Sequence, residues 1–340
     1  MKTEILKLLR ETDGYVSGQQ ISGKFGVSRT AVWKVIRQLQ DEGYQVEAVR
    51  NKGYRIVDSP DVITGEELAS LMKTRWAGRN ILYYDVADST NLRVKQAGDE
   101  GAPHGTLAVA DMQSAGRGRR GRSWESPAGS SIYMSLLLRP NIAPNKASML
   151  TLVMALSTVE GIRQCLETTE QARGNRFLER IPELQIKWPN DIIINGRKLA
   201  GILTEMSTQI DYINHITVGV GINVNMSKFP SELVETATSL RLECGHVVRR
   251  APLIAAVMER FEENYEIFLK TEDLTGLTDR YSALLVNRDR DVLVMESGGE
   301  YRAHALGIAS TGELIVQRED GTVEKIYAGE VSVRGVYGYI

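Results

Sequence analysis

Between two apolar segments, Thr106–Ala110 and Ser131–Leu138, the chain carries Gly116-Arg117-Gly118-Arg119-Arg120-Gly121-Arg122, followed by Ser123 and Trp124. Four arginines and three glycines in seven residues cannot enter a core. Guanidinium groups are almost never buried unpaired, and glycine weakens helix and strand alike. The run is therefore a loop, and the segments on either side read as two separate strands. Glycine lets backbone approach an anion closely, and arginine presents a planar fork of donors that matches phosphate or carboxylate. With few apolar groups to hold it down, the loop from Gln113 to Ser126 is expected to be mobile until an anion arrives. The competing reading is a solvated basic loop or an RGG-like tail. Such tails sit in low-complexity sequence near chain ends, unlike this run.

At 340 residues the chain exceeds one modest core, and two or three domains are expected. A hydrophobic fraction of 42% with 25% charged residues excludes global disorder. Apolar stretches fall well short of the roughly 20 residues a membrane span requires. The N-terminus, with Lys2, Glu4, Lys7 and Arg10, lacks the apolar centre of a signal peptide. Cys165 and Cys244 have no metal-ligand spacing, and His104, His215, His246 and His304 form no HxH or HxxxH pattern. These features predict a cytoplasmic, soluble protein without a structural metal.

The first sixty residues read as a DNA-binding module. Ile5, Leu6, Leu8 and Leu9 repeat with helical spacing; Ser17–Phe25 forms a second helix with Ser17 as its cap, and Gly26-Val27-Ser28 turns into a third, Arg29–Asp41, capped by Ser28. Helix, glycine turn, capped helix is the helix-turn-helix pattern. Ser28, Arg29, Thr30, Lys34 and Arg37, with Gln38, suit phosphates and base edges. Tyr44–Val49 and Gly53–Val57 form a wing whose tip, Arg50-Asn51-Lys52, is basic. Through Asp58, ten Lys/Arg face seven Asp/Glu, a surplus too small to exclude a protein-binding winged helix. A dimer is expected, since one such module reads a half-site.

Beyond Pro60, Thr64-Gly65-Glu66-Glu67 opens a helix in the style of a capping box. Ile81–Val86 is a strand running into Asp88-Ser89-Thr90-Asn91, a polar cluster at a helix start, where N–H groups and short hydroxyls can meet a small ligand. Ile186-Lys187-Trp188-Pro189-Asn190-Asp191 precedes the strand Ile192–Ile194. A lysine leading an apolar strand suits a point charge aimed at phosphate or carboxylate. Asn195-Gly196 is a hairpin turn, with Leu199–Glu205 returning as a strand. In Val218–Asn225 alternate glycines leave room for a flat ligand or another backbone. No Rossmann fingerprint is present, because this run opens no helix.

The order Ser89-Thr90-Asn91, Gln113, GRGRRGR, KWPND, KLAGIL and GVGINVN resembles the bifunctional biotin protein ligases, which also repress biotin genes. The resemblance spans essentially the whole chain; the charged stretch Glu167–Glu183 departs from it. It implies an α+β multidomain protein: a winged helix-turn-helix (residues 1–60), a central mixed α/β catalytic domain like class II aminoacyl-tRNA synthetases (61–284), and an SH3-like β-barrel (285–340). The tail fits, with short strands at Asp291–Met295, Tyr301–Ala309, Gly312–Arg318, Val323–Ala328 and Val331–Tyr337. The implied reaction forms biotinyl-5′-AMP from biotin and ATP, with Mg²⁺, and transfers biotin to a lysine of a biotin carboxyl carrier domain, of acetyl-CoA carboxylase or another biotin-dependent carboxylase. By the same resemblance Ser89, Thr90, Asn91 and Gln113 line the biotin pocket. Arg117, Gly118 and Arg119 close over carboxylate and phosphates, and Lys187 offsets charge at the reacting centre. Arg120 and Arg122 face the triphosphate or remain solvated, Trp124 stacks on adenine or anchors the loop, Asn223 bonds the nucleotide, and Asp191 orients the acceptor lysine or caps a turn. The winged helix implies operator DNA as a partner and a ligand-promoted homodimer, with the Val218–Asn225 strand as an exposed edge for it. A lipoate or octanoate ligase, a biotin sensor without catalysis, or a tRNA-related enzyme suggested by fold analogy alone, are the alternatives.

Overall fold

A computed structural model describes residues 1–172, 181–209, 212–296, 299–327 and 332–335. Helices α1 (Lys2–Glu11), α2 (Gly18–Phe25) and α3 (Arg29–Asp41) lead into an antiparallel hairpin of β1 (Gln45–Val49) and β2 (Gly53–Asp58). The expected caps form. Ser17 and Gln20 make a reciprocal capping box, and the Ser28 hydroxyl accepts from the Ala31 N–H at 3.2 Å. Ile5, Leu9, Ile21, Val32, Ile36 and Leu39 build a separate small core.

Helix α4 (Gly65–Leu71) follows. Thr64 caps it, but Glu67 does not complete a capping box. Its carboxylate, only 2% exposed, accepts from Arg10 at 2.6 and 2.8 Å and from the Tyr44 hydroxyl at 2.6 Å. α4 is thereby clasped to the winged helix. Burial, then the Glu67 carboxylate, pushes the Tyr44 hydroxyl's pKa far above its ordinary value.

The centre comprises β3 (Ile81–Ala87), α5 (Thr90–Asp99), β4 (Leu107–Gln113), β5 (Ile132–Leu138), α6 (Met149–Ala172), β6 (Leu184–Lys187), β7 (Asp191–Ile194), β8 (Arg197–Gln209) and β9 (Tyr212–Ile222). Helices α7 (Leu240–Cys244), α8 (Arg250–Thr271) and α9 (Thr278–Ser282) come next. The seven strands run in the order β3-β4-β5-β9-β8-β7-β6, with only β3 and β4 parallel. Every residue of β5 is buried because both faces are covered. Leu107, Val109, Met134, Leu136, Val218 and Val220 face the large core of α6 and α8. Ala108 and Leu137 face α5 on the other side, with Val94.

One expectation changes here. The Val218–Asn225 strand is no edge: β9 lies mid-sheet, bonded to β5 and β8, and the outermost strands are β3 and β6. The residues from Glu167 to Ala172 extend α6, while residues 173–180 of the charged stretch lie outside the described ones. Residues Pro144–Thr169, containing most of α6, are apolar and long enough to cross a membrane, but 78% of the most apolar window is buried inside the fold.

The tail forms β10 (Arg290–Glu296), β11 (Gly299–Ile308), β12 (Leu314–Arg318), β13 (Val323–Ile326) and β14 (Ser332–Gly335), an antiparallel sheet in the order β13-β12-β11-β10-β14. Ala328, Val331 and Val336–Tyr337 of the expected strands lie outside the described residues. Val294, Ala305 and Val316 share one core with the central domain, and Trp188 Nε1 donates to the Gly312 carbonyl at 3.0 Å. The small sheet is thus docked firmly beside the KWPND turn.

Glu262 on α8 ties down the start of the central domain. Its carboxylate accepts from the backbone N–H groups of Arg75, Trp76 and Ala77 at 2.8, 2.8 and 3.0 Å. Burial pulls its pKa up, but these three donors outweigh burial and leave it below the ordinary value. A depressed carboxyl contributes stability above its unfolded pKa and loses it as pH falls through the folded value. Glu262→Gln is expected to cost about 2 kcal/mol at neutral pH and to flatten the acid limb of the stability profile, as read by thermal unfolding between pH 3 and 7.

Candidate active site and nucleic-acid interface

The site lies on the α5 face of the sheet. There the register sets Ser135 opposite Gly219, Tyr133 opposite Gly221, and Gly221 opposite Gly201. A cavity of about 160 Å³ opens over these strands, beneath the arginine loop. Ser89, Thr90, Asn91, Gln113, Arg117, Gly118, Arg119, Arg120, Arg122 and Trp124 all line it. Of the residues expected at the site, Lys187 and Asn223 do not line this cavity. Lys187 closes β6, 5% exposed, in register with Asp191, whose side chain does line the cavity. Asn223 is buried just past β9; its N–H donates to the Leu199 carbonyl at 2.9 Å.

The floor is a polar network. Ser89 is the N-cap of α5 yet makes no capping bond; the Asp88 carboxylate accepts from the Ser89 N–H instead. The Gln113 carbonyl oxygen accepts from the Thr90 N–H at 2.8 Å and the Thr90 hydroxyl at 3.2 Å, and its amide donates to the Ser126 hydroxyl at 2.9 Å. The buried Ser135 hydroxyl donates to Thr90 Oγ1 or Asn91 Oδ1, 2.8 and 2.6 Å away. Asn91 donates to the Glu205 carboxylate at 2.8 Å, and Arg117 pairs with the other Glu205 oxygen at 3.1 Å. One carboxylate therefore joins floor and lid.

In the lid, Arg117 and Ser123 make an isolated antiparallel bridge, and the Gly118 N–H donates to the Arg122 carbonyl at 2.7 Å. Arg120 takes φ 57°, a left-handed backbone uncommon outside glycine, in the one-turn helix Arg119–Gly121. Arg119 donates to Asn190 Oδ1 at 3.0 Å. Burial lowers its pKa, opposed by nearby Asp191.

The alternate glycines serve the protein's own side chains. A Cβ on Gly219 would sit 1.9 Å from Asn91 Oδ1, and one on Gly221 2.6 Å from the Trp124 ring. Lys198 Nζ lies 5.3 Å from that ring and pairs with Asp191 at 2.6 Å. The Trp124 indole N–H is buried without a hydrogen-bond partner, a donor suited to a polar ligand atom. Gly219→Ala is expected to displace Asn91 and destabilise the fold by on the order of 1–3 kcal/mol, the range for an overpacked core; thermal unfolding checks it.

Ser135, Glu205, Asn190 and Lys198 were not singled out from sequence. Ser135 had a signal, a lone hydroxyl within the apolar run Ile132–Leu138. Glu205 had none, because its partners come from α5 and the loop.

In the winged helix, Ser28, Arg29, Thr30, Lys34, Arg37 and Gln38 are exposed on one side of α3, and Lys52 is exposed at the wing tip. Lys52 and Arg55 lie 5.7 and 5.1 Å from the Tyr15 ring, joining the wing to the approach of α2.

Residues 83–223 match the biotin/lipoate A/B protein ligase family, residues 2–55 a helix-turn-helix domain, and residues 290–334 the biotin protein ligase C-terminal domain. The chain is 38% identical to the bifunctional ligase/repressor BirA of Bacillus subtilis over 98% of both chains. It is 29% identical to BirA of Escherichia coli over 94% of this chain and 92% of that one. Among solved structures, biotin protein ligase from Aquifex aeolicus in complex with biotin and ATP aligns with a TM-score of 0.62 at 28% identity, covering 76% of this chain and 99% of that one. Sheet, arginine loop, winged helix and small β-sheet thus occur in one order along one chain, and the protein belongs to the biotin protein ligase family, among its bifunctional ligase/repressors.

Proposed function

We propose that the cavity takes biotin on the network of Ser89, Thr90, Asn91 and Gln113, and ATP beneath the arginine loop. The observation that carries this is the convergence of that neutral floor and the cationic lid on one cavity. In the first step the biotin carboxylate attacks the α-phosphorus of ATP. A phosphorus–oxygen bond forms, the bond to the β-phosphate oxygen breaks, and pyrophosphate leaves. In the second step the amine of an acceptor lysine attacks the carbonyl carbon of biotinyl-5′-AMP, AMP leaves, and the amine gives up a proton. Both steps need charge offset, positioning and exclusion of water.

Arg117 and Arg119 meet carboxylate and α-phosphate, exchanging Glu205 and Asn190 for ligand oxygens. Lys187 offsets charge at the reacting centre. Arg120 and Arg122 face the triphosphate, Trp124 packs on adenine, and Asn223 bonds the nucleotide. Where Mg²⁺ accompanies ATP, phosphate oxygens and water would hold it. Asp191 is the acidic side chain on the cavity wall, and Lys198 engages it.

The acceptor is a biotin carboxyl carrier domain in the cytoplasm. The second partner is operator DNA, held by Ser28, Arg29, Thr30, Lys34, Arg37 and Lys52 of two winged helices in a ligand-promoted dimer. The outermost strand β3, in place of the central β9, supplies an edge that could extend the sheet between copies, and it runs straight into Ser89 and Thr90. A ligand that orders the lid would then favour the dimer, and the dimer the ligand, reciprocally.

Biotin with ATP is expected to make the segment Gln113–Ser126 resistant to trypsin and to produce a DNA gel shift that neither ligand-free protein nor biotin alone gives. Equal cleavage with and without ligands would remove the lid role, and ligand-independent DNA binding would remove the co-repressor role.

A further inference from the structure

Trp33 lies in the middle of the exposed face of α3. Of the four tryptophans, Trp188 is buried and Trp76 and Trp124 are partly buried, whereas Trp33 is 54% exposed. A single exposed apolar side chain is ordinary and needs no explanation. What sets Trp33 apart is its company. The buried side of α3 is complete without it, built from Val32, Val35, Ile36 and Leu39. On the open side its neighbours along the helix are Thr30 and Arg37, with Arg29 and Lys34 flanking, all exposed. The Arg37 guanidinium lies 5.9 Å from the indole ring.

A partner that covers this stripe must therefore be anionic at its margins and apolar at its centre. From Thr30 to Arg37 the helix advances about 10 Å, or about three base-pair steps. In the major groove, phosphates line the margins, and the apolar group among the base edges is the thymine 5-methyl. Thr30 and Arg37 can each bond a base edge. An indole has one N–H donor and no acceptor, so its broad apolar face is left to meet methyl groups. We propose that Trp33 is a sequence-reading residue that packs on thymine 5-methyl groups at the centre of each half-site. The proposal rests on the DNA-binding reading of the winged helix above and adds what that module selects.

The test uses full-length protein with biotin and ATP to select duplexes from a randomised DNA library. Each thymine of the selected half-site is then replaced in turn by deoxyuridine, which removes the methyl and keeps the pairing edge. At one or two central positions, the unsubstituted protein is expected to bind the deoxyuridine duplex about fourfold more weakly, the factor for withdrawing one methyl-sized apolar contact. Trp33→Ala is expected to bind thymine and deoxyuridine duplexes equally there, and its own selection should lose the thymine preference at those positions. Deoxyuridine tolerated at every position, or a penalty that persists in Trp33→Ala, would overturn the assignment and leave the face to a protein partner. Failure of the unsubstituted protein to select any sequence would instead overturn the DNA-binding reading on which it rests.

Discussion

Lys187→Ala is expected to slow formation of biotinyl-5′-AMP by a factor of roughly 150, on the order of 3 kcal/mol, as when a charge stabiliser is removed from a reacting centre. The residue closes β6 at the KWPND turn and is only 5% exposed. The turn itself is held from behind, since Asn287 Oδ1 accepts from the Trp188 N–H at 2.8 Å and Trp188 is anchored to Gly312. In the proposed mechanism a lysine fixed in this way supplies its charge without reorganisation. The deficit should appear in biotin-dependent ATP–pyrophosphate exchange, and thermal unfolding of the variant should show that the fold is kept. Near-normal exchange would remove Lys187 from the chemistry.

Glu67→Ala is the substitution expected to cost most in stability. It leaves the Arg10 guanidinium, 16% exposed, and the buried Tyr44 hydroxyl without their shared acceptor. Removing one member of a buried pair is worth about 3–5 kcal/mol; the partial exposure of Arg10 puts this case near about 3 kcal/mol. Because the clasp joins α4 to the winged helix, the loss should fall on the N-terminal unit. Calorimetry is expected to show that unit unfolding at lower temperature than the rest, with pyrophosphate exchange little altered. A single transition at the unsubstituted temperature would show that the clasp contributes nothing.

Local signals in this sequence read well. Caps at Ser17 and Ser28 and the Asn195-Gly196 turn depend on neighbours a few residues away, and the structure places them as expected. The cavity-lining motifs were also legible, because loops and helix starts carry polar residues that packing does not require. Three things were less so. Helix α6 is apolar over much of its circumference, covered by the sheet and by α8, so no amphipathic stripe announces it. The position of β9 is a property of the whole sheet: alternating glycines fit an edge as well as a central strand, and only the pairing with β5 and β8 decides. The Glu205 link between Asn91 and Arg117 joins residues far apart in the chain, and no spacing rule reaches that distance.

The most direct measurement is intact-mass spectrometry of a purified biotin carboxyl carrier domain incubated with this protein, ATP, Mg²⁺ and either biotin or lipoate. One biotinyl group on a single lysine, dependent on ATP, with no lipoyl transfer under the same conditions, is the predicted result. An unmodified acceptor, or biotin and lipoate transferred equally well, would contradict it.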